Sequence, residues 1–183
     1  MKRRVLSLVL ALAVIVSITV IPAAAADEAS QPGNWYDGAM STWSDRGVLQ
    51  GDQAGNLNPT ANITRAELAV MLDRIMGYRV KASNSFADVE DGAWYADAVL
   101  KASAAGVLQG DGVNANPGAA ITRQETMVML TRVLNLSGSA SDYASYTDAG
   151  QVAGWAAQGV GAMVAGGYVQ GRGGYLNPAA KIS

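Results

Sequence analysis

The chain repeats itself, and that repetition limits what it can fold into more than any other feature. The segment NWYDGAMSTWSDRGVLQGD, from residue 34, is answered by AWYADAVLKASAAGVLQGD from residue 93 and GWAAQGVGAMVAGGYVQGR from residue 154. Trp35, Trp94 and Trp155 are 59 and 61 residues apart. Leu49-Gln50-Gly51 aligns with Leu108-Gln109-Gly110 and Val169-Gln170-Gly171, and the Asn-Pro pairs at 58–59, 116–117 and 177–178 follow in register. A period of this length is the mark of stacked supersecondary units, each too small to bury a core alone.

Each copy reads as helix, glycine-rich loop, proline, helix. In the second copy Trp94, Ala98, Val99 and Ala102 follow helical spacing, and Gly106 is placed to end that helix in a left-handed cap. The loop from Gly110 to Ala120 leads to Thr122. Thr122-Arg123-Gln124-Glu125 and Thr64-Arg65-Ala66-Glu67 are capping-box patterns ahead of apolar runs. Met127, Leu130, Val133 and Leu134 mark the inward face of the helix that follows. The capping box explains Thr and Glu. It does not explain Arg65 or Arg123, since a cation in the first turn faces the positive end of the helix dipole. Free amides at that terminus together with an arginine suit an anion, and arginine grips a carboxylate through two parallel hydrogen bonds. The alternative is a salt bridge to a carboxylate of the next copy, for which Asp88 and Asp148 are the candidates.

Before the repeats, Lys2, Arg3 and Arg4 precede an apolar run from Val5 to Ile21 and the small-residue stretch PAAAADEAS. This is the pattern of a secretory signal peptide cut after Ala26, with an uncleaved anchor as the alternative. The formal net charge is −2 over the full chain and becomes more negative once those three cations go, which argues against a general nucleic-acid binder. There is no cysteine and no histidine. A disulfide framework, Ser-His-Asp or Cys-His catalysis and histidine-ligated metal are therefore excluded. No cofactor is expected. Glu67 and Glu125 as a hydrolytic carboxylate pair are set aside because capping already accounts for them. The loop Gly51 to Pro59 lacks the spacing and closing glutamate of a calcium loop, so no metal site is expected there.

The pattern F-x-D, W-Y-x-x-A, G-x-x-x-G and P-x-x-x-x-T-R-x-E resembles the S-layer homology (SLH) domain. The second copy carries nearly all of it in Phe86, Asp88, Trp94, Tyr95, Ala98, Gly106, Gly110, Pro117, Thr122, Arg123 and Glu125. The first copy lacks the F-x-D lead. The third has Tyr146 for Phe and Ala156 for Tyr, and ends at Ser183 where the capping threonine stood. The expected division is a signal peptide at 1–26 and SLH repeats at 27–80, 81–141 and 142–183, the third incomplete. The resemblance implies an all-α fold of tandem helix-loop-helix repeats packed as a pseudo-threefold spindle. It also implies a non-catalytic anchor that holds exported proteins to the cell wall through a secondary cell-wall polysaccharide bearing a pyruvyl ketal. Two other contexts are open: an exported polysaccharide or cell-wall hydrolase whose catalytic domain lies beyond residue 183, or an outer-membrane protein tethered to peptidoglycan.

The expected sites are grooves between successive copies. One would join Arg65 with Asp88, Trp94 and Gly110, the next Arg123 with Asp148, Trp155 and Gly171. A third would face Trp35 and Gly51. The tryptophans have two readings: stacking on a sugar face, or burial as glue between helices, the more ordinary use at a first helical turn. Gly51, Gly110 and Gly171 either let backbone approach a ligand or take positive φ in a turn. Asp88 and Asp148 either bind a sugar hydroxyl or cap the following helix.

Overall fold

In a computed structural model, residues 34, 36–52 and 54–183 are described. The signal-peptide pattern and Trp35 lie outside the described residues. Among these, five α-helices form: α1 (Asp37–Asp45), α2 (Arg65–Met76), α3 (Ala96–Ala104), α4 (Arg123–Leu134) and α5 (Ala157–Ala165). Short 3₁₀ turns at Ala140–Tyr143, Ala149–Gln151 and Gly154–Ala156 lead into α5, and the extended segments meet only through isolated bridges. The fold is all-α, and the two complete copies are helix-loop-helix as the periodicity predicts.

Helix ends are set by local chemistry. Thr64 and Thr122 each accept from the amide three residues on, while Glu67 and Glu125 reach back to the cap amide, so both capping boxes are complete. α2 ends at Gly77 and α4 at Asn135, both left-handed, with φ of 64° and 51°. Gly106 has φ 71°, as its position after α3 requires. The three Asn-Pro pairs have the same origin: Asn58, Asn116 and Asn177 sit at φ 46°, 54° and 52°. Asparagine tolerates that region better than other residues with a side chain, and the following proline stops the turn from continuing as helix.

Helices pair between copies. α2 packs on α3 and α4 packs on α5. Leu68, Leu72, Val99, Leu108, Met127, Leu130 and Met163 are fully buried in one continuous core. Gly159 allows α5 to lie close to α4, because a Cβ there would stand 2.7 Å from a Val128 methyl. Thr131 Oγ1 completes the contact by donating to the Gly159 carbonyl at 3.0 Å. The segment between the second and third copies is more than a polar spacer. Tyr143 is buried, the 3₁₀ turn holding it packs on α5, and the backbones at Gly138–Ser139 and Gly161–Ala162 touch so closely that neither Gly138 nor Gly161 has room for a Cβ.

All three copies also meet in a ring of backbone hydrogen bonds. The Ile63 amide donates to the Ile182 carbonyl at 2.9 Å, Ile182 to Ile121 at 3.2 Å, and Ile121 back to Ile63 at 3.0 Å. Three residues at the same register, one from each copy, thus form a cyclic ring of backbone hydrogen bonds. Ile121 and Ile182 are 0% and 1% exposed. The pseudo-threefold relation is visible in this ring, and residues up to Ile182 take part in it. Truncating Ile121 removes a buried side chain where all three copies meet. Ile121→Ala is expected to lower stability by about 2–4 kcal/mol, read as a lower urea midpoint by circular dichroism.

Candidate functional site: a groove built from three copies

The arginines of the two T-R-x-E motifs are held by the copy that follows. Arg65 donates from Nε to the Ala115 carbonyl at 2.9 Å, from one terminal nitrogen to Glu125 Oε1 at 3.1 Å, and from the other to the Gln109 carbonyl at 3.1 Å. Arg123, only 5% exposed, donates from Nε to the Leu176 carbonyl at 2.8 Å. Burial pulls the Arg123 guanidinium below its usual range, and the nearby Asp148 carboxylate works in the opposite direction.

Several sequence-based expectations are corrected by these contacts. The helix N-termini do not offer free amides. The Arg65 and Ala66 amides donate to the Ala119 and Pro117 carbonyls, both at 3.0 Å, and those of Arg123 and Gln124 to Ala180 and Pro178, both at 2.9 Å. The third amide of each helix is taken by the capping threonine. The salt-bridge partner of Arg65 is Glu125 rather than Asp88. Asp88 and Asp148 make no side-chain cap bond to a following helix. Each clamps a loop of its own copy, Asp88 accepting from the Ala115 and Asn116 amides at 2.8 Å each, Asp148 from Leu176 and Asn177 at 2.8 and 2.7 Å. A carboxylate with both oxygens committed to amides is a structural brace.

The glycines of the repeated L-Q-G motif do not have positive φ. What forbids a side chain at Gly51 and Gly110 is their own loop: a Cβ at Gly51 would meet the Gly55 backbone, and one at Gly110 the Asn114 carbonyl and the Phe86 ring. At Gly171 the obstacles are the Tyr146 ring and the Tyr175 carbonyl. Trp94 and Trp155 are not interhelical glue. Trp94 is 66% exposed and Trp155 61% exposed, with Trp94 standing edge-on to Tyr95 at 5.4 Å between ring centres.

A groove of about 510 Å³ opens beside Arg65. Of the predicted partners, Gly110 lines it, while Asp88 and Trp94 do not. The tryptophan on its wall is Trp155, so the third copy, and not only the two flanking ones, contributes. Gln109, Asp111, Glu125, Arg132 and Lys181 also line it, and none of these was foreseen as a site residue. One signal was available for two of them. Arg74 and Arg132 each stand ten residues after the capping threonine, and Gln50 and Gln109 recur in the L-Q-G motif. The structure joins them: Arg74 donates to the Val48 carbonyl and Gln50 Oε1 at 2.9 and 2.7 Å, Arg132 to the Val107 carbonyl and Gln109 Oε1 at 3.0 and 2.9 Å.

On the groove's loop, Asp111 accepts from the Val113 and Asn114 amides at 2.9 and 2.7 Å and from Asn116 Nδ2 at 3.3 Å. These bonds, the Asn114 amide foremost, hold its carboxyl at about 2. A depressed folded-state value means that the loop's stabilisation is complete above the ordinary value of 3.8 and disappears as pH falls through about 2. An NMR titration of the Asp111 carboxyl carbon is expected to show a midpoint near 2, with the Asn114 amide shift following it. A midpoint near 4 would mean the loop is not held this way.

Comparison with known proteins agrees with this architecture. The family model described as S-layer homology domain matches residues 29–69, 85–127 and 145–183. The chain is 30% identical over 165 residues to the Surface-layer 125 kDa protein of Lysinibacillus sphaericus, covering 88% of this chain and 14% of that one. It is 30% identical over 128 residues to Exoglucanase XynX of Acetivibrio thermocellus, covering 67% and 12%, and 33% identical over 104 residues to an Amylopullulanase of Thermoanaerobacterium thermosulfurigenes, covering 56% and 6%. The chain therefore spans less than a sixth of the length of these relatives, and with the two enzymes the match is to their S-layer homology parts. Such domains are non-catalytic modules that anchor proteins to the cell surface. Three matched segments, each carrying the helix-loop-helix register or its beginning, establish that this chain belongs to the S-layer homology domain family.

Proposed function

We propose that the chain is a non-catalytic, exported anchor that binds a secondary cell-wall polysaccharide, a pyruvylated glycan, without a covalent link. The observation that carries this reading is the groove beside Arg65. It is lined by cations and by one exposed indole face, and an acidic sugar polymer offers the matching pair, a carboxylate and an apolar ring face. Gly110 and Trp155 both line it, and in this reading Trp155 gives the sugar its platform. Arg123 and Gly171 stand at the equivalent register one copy on, where the same rotation between copies assigns Trp35 as the tryptophan. Gly51 stands at the register of a third groove, to which it assigns Trp94; Asp148 repeats the register of Asp88. In this reading the repeats divide at 27–80, 81–141 and 142–183, and the N-terminal segment directs export to the cell surface.

The names of the relatives favour a second context for the same module. XynX and the amylopullulanase are named as enzymes, so the anchor here also suits an exported polysaccharide hydrolase as cargo. Peptidoglycan is the other wall polymer that would serve as partner.

Co-sedimentation of the chain with Gram-positive cell walls, before and after mild acid extraction of the secondary polymer, tests the reading. Binding that disappears with the polymer is the expected result. Binding that survives extraction identifies peptidoglycan as the partner and contradicts the pyruvylated-glycan reading.

A further inference from the structure

The groove beside Arg65 holds three cations, and their surroundings differ. Arg65 is charge-matched: Glu125 Oε1 lies 3.1 Å from its terminal nitrogen, and the pair is largely shielded, with side chains 11% and 25% exposed. Arg132 and Lys181 are not matched. The acceptors of Arg132 are the Val107 carbonyl and the Gln109 side-chain amide oxygen, and that of Lys181 Nζ is the Ala120 carbonyl at 2.7 Å. All three acceptors are neutral, and among the described residues no carboxylate lies within salt-bridge distance of either cation. Asp111, the other acid of the groove, is committed to the amides of its own loop.

Sequence register makes this groove unlike its counterparts. The isoleucine ring fixes which residues are equivalent, so Lys181, immediately before Ile182, corresponds to Ala120 before Ile121 and Asn62 before Ile63. Only the third copy places a cation at this position, and Lys181 lines the groove there together with Trp155 of the same copy.

Resting on the anchor reading above, we infer that the ligand's anionic group is taken by Arg132 and Lys181, while Arg65 is a positioning residue that locks the copies together through Glu125. An incoming carboxylate at Arg65 would have to displace Glu125 from a largely shielded ion pair. At Arg132 and Lys181 it would supply the missing counter-charge with no such exchange. Burial is the main influence against charge on Arg132, and the neighbouring Arg65 cation adds to it; an arriving anion would relieve that added repulsion. Trp155 lies on the same groove and gives the attached sugar its platform.

The test compares two probes by NMR titration of the chain from residue 27 to 183: the methyl glycoside of a pyruvyl-ketal hexose, and the methyl ester of the same compound. The wild-type chain is expected to prefer the acid over the ester by about tenfold or more, the range of one charge-assisted contact. Arg132→Gln and Lys181→Gln should each erode that preference and together abolish it. Lys181→Arg should keep it, and Arg79→Gln, which removes an exposed charge away from the groove, should leave it intact. Lys181 is exposed, so K181Q keeps the fold and carries the test alone if R132Q does not fold. An undiminished preference in folded K181Q would overturn the inference. Failure of the wild-type chain to bind either probe would instead overturn the anchor reading on which it rests.

Discussion

Three backbone hydrogen bonds, passing from Ile63 to Ile182 to Ile121 and back, are the constraint on which the rest of the structure depends. Each bond joins a different pair of copies, so no copy can shift its register without breaking two of them. The residues that follow in the first and second copies are the helix caps Thr64 and Thr122, and the amides after those caps donate into the next copy's loop. Helix starts, loop positions and inter-copy contacts are thus one connected arrangement. The arginine in the second place of T-R-x-E belongs to it. In both complete copies its Nε holds a carbonyl of the next copy's loop, at Ala115 and at Leu176, which explains a cation where the dipole alone would disfavour one.

This arrangement also decides what kind of site the fold presents. A helix terminus whose amides were free would be a general anion site. Here those amides are spent inside the protein, and the groove obtains its character from side chains that converge from all three copies: Arg65 from the first, Gln109 and Arg132 from the second, Trp155 and Lys181 from the third. No pair of copies alone could build it. The family's modules attach proteins to the cell surface, and this groove is where we propose that the wall polymer is held.

Much of the fold was legible from residue spacing. The Trp, L-Q-G and Asn-Pro registers marked three copies, T-x-x-E marked two helix starts, and Gly106 marked a helix end, because each depends on chemistry within a few residues. The site was less legible, for a physical reason. Asp88 and Asp148 recur in register and look functional, but in the second and third copies each braces the loop at its Asn-Pro pair, and Gly110 and Gly171 recur where a Cβ would meet neighbouring atoms. Trp94 and Trp155 looked like core residues on burial statistics. They are exposed, since the core beneath is filled by Leu68, Leu72, Met127 and Leu130. Lys181 has no cationic counterpart in the other copies, so a search for repeated features passes over it. Which tryptophan faces which arginine depends on the rotation between copies, and spacing within one copy does not encode that rotation.

The central claim is that the three copies, the third up to Ile182 included, form one cooperative unit around the isoleucine ring. Native-state hydrogen exchange, read by NMR at the amides of Ile63, Ile121 and Ile182, tests it directly. The account predicts that all three exchange with the same free energy, that of global unfolding, and with the same dependence on denaturant. An Ile63 amide that exchanges through local opening while Ile121 stays protected would contradict it, because Ile63 is the residue that donates to Ile182 and its early exposure would mean the third copy is not closed onto the first.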